Sequence, residues 1–223
     1  MTFREERIGG QRLILGNCLE VMKGLGRFDA VVTDPPYGID FTQRTTGKKI
    51  IGDDKPFNPI PFFQISDRCL FWGAENFAEH LWRGRWLVWI KRAVEVAAPK
   101  SYGDCELAWV SERGCIKAFR LISDGCIRQG VEHGRRRVHP SQKPLEVMEW
   151  SIGFFPDAQT ILDPFMGSGT TLVACQKLGR SGTGIEIDKD YFEIACRRVE
   201  EAARQPDLLI PETRAAPMQE KLL

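Results

Sequence analysis

TILDPFMGSGTTLVACQKLGRSGTGIEID, Thr160 to Asp188, is the stretch that decides the architecture. An apolar run, Thr160 to Phe165, meets a glycine-rich turn. A helical stretch from Thr170 to Leu178 follows and stops at Gly179, a natural C-terminal cap. A second apolar run, Gly182 to Asp188, completes the unit. Strands alternating with helices imply a mostly parallel α/β sheet covered on both faces.

Outward from that unit the alternation continues. Arg12 to Asn17, Asp29 to Thr33, Cys69 to Gly73, Trp86 to Ile90 and Cys105 to Val110 read as strands. Helices are expected around Leu19 to Leu25 and from Glu75 to Leu81. A third opens at Pro144, on which Leu145, Met148 and Ile152 recur at helical spacing. The last, Tyr191 to about Ala203, has Asp190 and Glu193 as candidate caps. Residues 41–57 read as a long polar loop, and in 111–138 periodicity weakens while arginines collect. The expectation is one catalytic domain over 1–204, with 205–223 as a loosely ordered tail.

Composition narrows the class. The 223 residues are 43% hydrophobic, enough for an ordinary core in one domain. A net charge of +1 makes any polyanion site a local patch. Apolar runs are short and interrupted by charge, so neither a signal peptide nor a membrane span is expected. The seven cysteines, Cys18, Cys69, Cys105, Cys115, Cys126, Cys175 and Cys196, are scattered and form no C-x-x-C pair. They read as reduced, mostly buried thiols in a cytoplasmic protein, with no metal site.

The turn between the first strand and helix of that unit has the chemistry of a nucleotide-like site. Gly167 and Gly169 allow a tight turn and close approach of a ligand to the backbone. Glu186, about twenty residues on at the end of the next strand, can accept hydrogen bonds from both hydroxyls of a ribose. No Gly-Lys-Ser/Thr is present, and Leu172 stands where a dinucleotide fingerprint needs a third glycine. Asp163 would repel a pyrophosphate and suits a cationic head such as that of S-adenosylmethionine. A βα turn without a ligand, and a surface or capping role for Glu186, remain open at this level.

FDAVVTDPPYGID, Phe28 to Asp40, ends a second strand in a carboxylate, two prolines and a tyrosine. Pro36 has no amide, so the Pro35 carbonyl can point outward without a competing donor. Asp34 adds a second rigid acceptor, and Tyr37 a flat face for stacking. Asp34, Pro35, Pro36 and Tyr37 together describe a pocket for a flat ring bearing an exocyclic amine. A purely structural turn is the alternative.

DPPYG (Asp34 to Gly38), DPFMGSGTT (Asp163 to Thr171) and GIEID (Gly184 to Asp188) together resemble the amino-group DNA methyltransferases, with the catalytic turn before the cofactor loop as in the β group. HPSQKP (His139 to Pro144) and LGNCLEVM (Leu15 to Met22) fit as well, so the likeness spans about residues 12–203. It implies a Rossmann-like S-adenosylmethionine-dependent methyltransferase fold, a seven-stranded mixed sheet with one antiparallel strand and helices on both faces. By resemblance, Asp34 and Pro35 hold the target amine and Tyr37 stacks on the base. Asp34 also borders the cofactor pocket, which Asp163, Phe165, Gly167, Ser168, Gly169 and Thr170 shape. Glu186 and Ile187 lie at the ribose. Asn17 and Cys18 lie near the cofactor adenine, where relatives often have an acidic residue, and Ser141, Gln142 and Lys143 near its methionine end.

The expected partner is double-stranded DNA, with the base flipped out of the stack. Two basic runs are candidates for its phosphates: Arg44, Lys48 and Lys49, and Arg135, Arg136 and Arg137. A solvated charged loop is the bland alternative for both. The short 111–138 segment suits a short or relaxed recognition site, read alone or as a homodimer. Adenine N6 is favoured over cytosine N4 because the turn begins with Asp, where cytosine-N4 relatives usually have Ser. The likeness implies a bacterial or phage-encoded enzyme of DNA modification, with or without a restriction partner. A non-catalytic DNA-binding protein on the same scaffold, an RNA substrate and a nicotinamide dehydrogenase are the other readings. The last lacks the third glycine and leaves the proline–tyrosine turn unexplained.

Overall fold

The computed structural model describes residues 3–40, 42, 49–92, 103–124, 127–131 and 142–204. In chain order the elements are β1 (Arg4–Ile8), β2 (Gln11–Leu15), α1 (Cys18–Met22), β3 (Ala30–Thr33), α2 (Ile60–Phe63) and β4 (Cys69–Trp72). A 3₁₀ helix (Ala74–His80), β5 (Arg85–Ile90), β6 (Cys105–Val110), β7 (Lys117–Arg120), β8 (Ser123–Asp124) and β9 (Ile127–Arg128) follow. The chain continues through α3 (Leu145–Ile152), β10 (Thr160–Asp163), α4 (Thr170–Lys177), β11 (Ser181–Glu186) and α5 (Lys189–Arg204).

Nine strands form one sheet in the order β1-β2-β11-β10-β3-β4-β6-β5-β7. The run β2-β11-β10-β3-β4 is parallel throughout, as is β5 with β7. β6 runs antiparallel to both β4 and β5, and β1 to β2. The central strands AVVT and CLFW are buried from end to end, as strands covered on both faces must be. Successive residues enter opposite cores: Leu13, Val32 and Trp72 join one, Ile14, Val31 and Phe71 the other. The first core is closed by α3, α4 and α5 through Val147, Leu172 and Phe192. The second is closed by α1, α2 and the 3₁₀ helix through Val21, Phe62 and Phe77. Helices therefore lie on both faces, as expected.

Four details differ from the sequence reading. The sheet has nine strands rather than seven, because β1 and β7 extend its two edges. β1 (REERI) is charged and partly buried and β7 (KAFR) is mostly exposed, so neither shows the apolar run that marks a buried strand. β7 also draws part of the 111–138 segment into the sheet. The Glu75–Leu81 helix is a 3₁₀ helix over Ala74–His80, broken by an extended φ of −143° at Phe77. Pro144 sits one residue before α3, with ψ 147°, and contributes its carbonyl to the Val147 amide instead of occupying the first helical position. The last helix starts at Lys189 and is capped by Asp188, whose Oδ1 accepts from the amides of Asp190 (2.9 Å) and Tyr191 (3.2 Å); Asp190 and Glu193 are not the caps. Of the six described cysteines, Cys69, Cys175 and Cys196 are buried, Cys18 is half-buried, and Cys105 and Cys115 are exposed. The 41–57 loop is partly anchored: Asp53 and Phe57 are both buried. The tail from 205, as well as Arg44, Lys48, Arg135, Arg136, Arg137 and Ser141, lies outside the described residues.

Candidate active site

From β3 the chain crosses to β4 on one side, and from β10 it crosses to β11 on the other. The crevice between β3 and β10 is thus the topological switch point, where ligands bind in open α/β sheets. Asp34 follows β3 directly, and Asp163 ends β10. A hydrogen bond from the Thr33 hydroxyl to Asp163 Oδ1 (2.6 Å) ties the two strand ends together. A cavity of about 830 Å³ opens over them, lined at one end by Asn17, Cys18, Phe165, Gly167, Glu186 and Ile187, and at the other by Asp34, Pro35, Pro36, Tyr37, Gln142 and Lys143. The two motifs quoted above are distant in sequence and share one cavity.

At the glycine turn the backbone makes the ligand end. Glu186 leaves β11 and accepts the Gly167 amide on Oε2 (2.9 Å) and the Asp188 amide on Oε1 (2.7 Å). Each oxygen keeps a lone pair for a ligand hydroxyl. Burial pushes its carboxyl up to about 7, against the two amides that favour ionisation. Asn17 caps α1, its side chain accepting from the Leu19 amide (2.9 Å). Burial holds the Cys18 thiol protonated, at about 11. Phe165 packs against Phe57 and Phe62 at centroid distances of 5.7 and 5.6 Å, giving this end an aromatic floor.

Four residues expected at the ligand also make bonds or contacts within the fold. Asp163 is turned inward, bonded to Thr33, to the Thr171 hydroxyl and to the Phe165 amide (3.1 Å). It pins the glycine turn to the sheet while still bordering the cavity; burial raises its carboxyl to about 6. Ser168 and Thr170 border the cavity, yet their hydroxyls accept from Arg198 Nη1 of α5 at 2.8 and 3.0 Å. Gly169 does not border the cavity. It has φ +79°, and a Cβ there would stand 3.0 Å from the Ala195 methyl, so the glycine admits α5 rather than a ligand.

The proline turn builds the second end. Oδ1 of Asp34 accepts the Tyr37 hydroxyl at 2.5 Å, and Oδ2 lies 2.6 Å from Lys143 Nζ. The Tyr37 ring rests on Gly73 just after β4, and Asp53 Oδ1 accepts the Gly38 amide (2.9 Å), fixing the turn from its far side. Burial raises the Asp34 carboxyl, while the adjacent ammonium opposes that rise. Burial also keeps the Tyr37 hydroxyl protonated, and the neighbouring Asp34 charge acts in the same direction.

Lys143, read from sequence as a residue of the cofactor's methionine end, lies against the proline turn. Its side chain is 6% exposed and its ammonium sits at the Asp34 carboxylate. Glu106 of β6 stands 3.0 Å from it and 2.8 Å from Lys91. Sequence reading missed Glu106 and Lys91. The available signal was a lone carboxylate within the otherwise apolar run CELAWV, which a buried strand accepts only with a cation beside it. Lys49 is exposed and paired with Asp40 at 2.8 Å.

Comparison with known proteins agrees with this geometry. The profile of the family described as DNA methylase (N6_N4_Mtase) matches residues 79–197. A Type II methyltransferase, M.ScaI of Streptomyces caespitosus, is 44% identical over 87 residues, which cover 39% of this chain and 28% of that protein. The chain thus spans little more than a quarter of that relative. The putative methylase YubD of Escherichia coli (strain K12) is 28% identical over 228 residues, covering 90% of this chain and 98% of that one. Among solved structures, the M1.HpyAVI–SAM complex superimposes with a TM-score of 0.56 at 23% identity, over 84% of this chain and 99% of that chain, a likeness of fold. With the family profile covering more than half of its length, and both motif-bearing strand ends opening on one cavity, this chain belongs to the N6_N4_Mtase family of DNA methylases.

Proposed function

We propose that this protein transfers a methyl group from S-adenosylmethionine to the exocyclic amine of a base flipped out of duplex DNA, with adenine N6 as the target. The observation that carries the reading is the Asp34 carboxylate, held between Tyr37 and Lys143 in the same cavity as the glycine turn and Glu186. The residues present fit the cofactor: a half-buried acceptor for ribose hydroxyls, an aromatic floor, and backbone that approaches closely at Gly167. When bound, S-adenosylmethionine supplies a methyl on a good leaving group, so the protein's task is alignment.

An exocyclic amine is a weak nucleophile because its lone pair is delocalised into the ring. Asp34 and the Pro35 carbonyl accept its two hydrogens, favour a pyramidal nitrogen and stabilise the positive charge that develops on it. Tyr37, kept protonated, orients Asp34 and offers its ring to the base. The proton released afterwards passes to Asp34 or to water. Asp at the head of the turn supports adenine over cytosine. The DNA phosphates fall to the basic runs of the 41–57 and 111–138 segments and to dimerisation if a second copy completes the footprint. A cytoplasmic location belongs to the same reading.

The test is transfer of labelled methyl to duplex DNA followed by nucleoside mass analysis. N6-methyladenine supports the proposal, N4-methylcytosine moves the target to the other amine, and bound cofactor without transfer leaves only a DNA-binding scaffold. Sequencing of DNA from cells expressing the gene would add the recognition site.

Glu186 gives a pH prediction. Its carboxyl titrates at about 7, and the protonated form loses acceptor capacity for ribose hydroxyls. Cofactor affinity therefore falls as pH drops through that value. Glu186→Gln weakens binding about tenfold at high pH, the equivalent of ~1.4 kcal/mol, and flattens the dependence. Calorimetric titration with S-adenosylmethionine on both sides of neutrality reads both effects.

A further inference from the structure

The Lys143–Glu106–Lys91 chain has no role in the transfer described above. Its order is an alternation of charge: Asp34, Lys143, Glu106, Lys91, each within salt-bridge distance of the next. Lys143 comes from the segment leading into α3, Glu106 from β6 and Lys91 from just beyond β5, so three elements converge behind the catalytic turn. Lys143 Nζ reaches three oxygens at once: Asp34 Oδ2 at 2.6 Å, Glu106 Oε2 at 3.0 Å and the Tyr37 hydroxyl at 3.1 Å.

We propose that Lys143 is a placeholder cation at Asp34, and that Glu106 is the second seat to which its ammonium withdraws when the target amine binds. The inference rests on the methyl-transfer reading and adds two positioning residues to it.

Both Asp34 oxygens already accept a hydrogen bond in the ligand-free protein, from Tyr37 and from Lys143. An incoming amine must use a remaining lone pair beside one of them and crowds that donor. Tyr37 is held three residues away on the same rigid turn, with its ring against Gly73. Lys143 is at the end of a flexible four-carbon stem and needs only a short movement to lie wholly on Glu106. A buried ammonium cannot leave one carboxylate without another to receive it, since an unpaired buried charge is strongly unfavourable. Lys91 completes the device by keeping Glu106 ionised while Lys143 is engaged with Asp34.

The titration behaviour agrees. Burial opposes ionisation of Glu106, yet Lys143 and Lys91 together outweigh it and bring the group to about 2. Burial also works against the Lys143 charge, and Asp34 and Glu106 overcome it, so the ammonium is held protonated between them. The charged and titratable groups facing Asp34 are Lys143, Glu106 of β6, Tyr37 of its own turn, Glu75 of the 3₁₀ helix and Asp163 at the end of β10.

Steady-state kinetics on duplex DNA, with pH profiles of kcat/KM and cofactor affinity by calorimetry, test this in the full chain. Glu106→Gln leaves Lys143 with Asp34 alone. KM for DNA should rise about tenfold, cofactor affinity should hold, and the acidic limb of kcat/KM should move about one unit to lower pH, because a like charge has been removed from beside Asp34. Lys143→Met should move that limb about one unit to higher pH. Lys91→Met, which leaves Glu106 a stronger claim on Lys143, should lower KM for DNA, and it serves as the second variant if Glu106→Gln does not fold. Unchanged DNA KM in both variants, or a limb that moves the same way in Glu106→Gln and Lys143→Met, overturns the proposal. A wild-type protein that binds cofactor and methylates no DNA overturns the parent reading instead.

Discussion

Asp34→Ala is expected to lower methyl transfer to DNA by about a thousandfold while leaving cofactor affinity within about twofold of wild type. The acceptor that it removes acts at the nitrogen under attack, where charge develops only as the new bond forms. Glu186, at the other end of the cavity, is not in contact with it. Asp34→Asn should do little better: it keeps the shape, but its amide presents a donor toward an amine that needs an acceptor. Single-turnover transfer from labelled S-adenosylmethionine gives the chemical step directly, and calorimetry gives the affinity. Transfer in the alanine variant within tenfold of wild type would remove the carboxylate from the mechanism.

Gly73→Ala carries the largest expected effect on the fold near the site. Gly73 follows β4 with φ +65°, and a Cβ there would stand 1.9 Å from Tyr37 Cε1. The left-handed backbone costs a non-glycine residue about 1–2 kcal/mol, and the overlap costs about 1–3 kcal/mol more if the ring must move. A total loss of about 2–5 kcal/mol lowers Tm by about 5–15 °C for a chain of this size. A displaced ring also takes the Tyr37 hydroxyl from Asp34, so activity falls even where the variant is folded. Denaturant unfolding checks the first effect. The double variant Tyr37→Ala/Gly73→Ala checks the cause: with the ring gone the steric part is relieved and only the backbone part remains, so the two costs should be less than additive. Full additivity would show that the ring is not what the glycine accommodates.

Some parts of the site could be read from residue order, and others could not. Asp34, Pro35, Pro36 and Tyr37 stood out because two prolines and an aromatic are an unusual end for an apolar strand, and all four border the cavity. Glu186 stood out through its spacing from the glycine turn. Gly169 was read from the same pattern, but its positive φ and its contact with Ala195 serve helix packing. Asp163 was expected to face a cation, whereas the Thr33 and Thr171 hydroxyls turn it inward. Hydroxyls that lie far away in sequence leave no local trace of what they will bind. Lys143 was assigned to the cofactor's methionine end, as the motif order implied. Its partner Glu106 comes from a strand that sequence spacing does not connect to it.

What the sequence determined alone was the alternation of strands and helices, the burial of the central strands and the two strand-end motifs. These follow from local periodicity and from the backbone limits of proline and glycine, which act within a few residues. Only the tertiary structure decided the strand order, the two charged edge strands and the pairing of Asp34 with Lys143. Those depend on which strand ends the sheet brings side by side. A hydrogen bond such as that from Thr33 to Asp163, across 130 residues, has its geometry fixed by the whole sheet and by no segment of it.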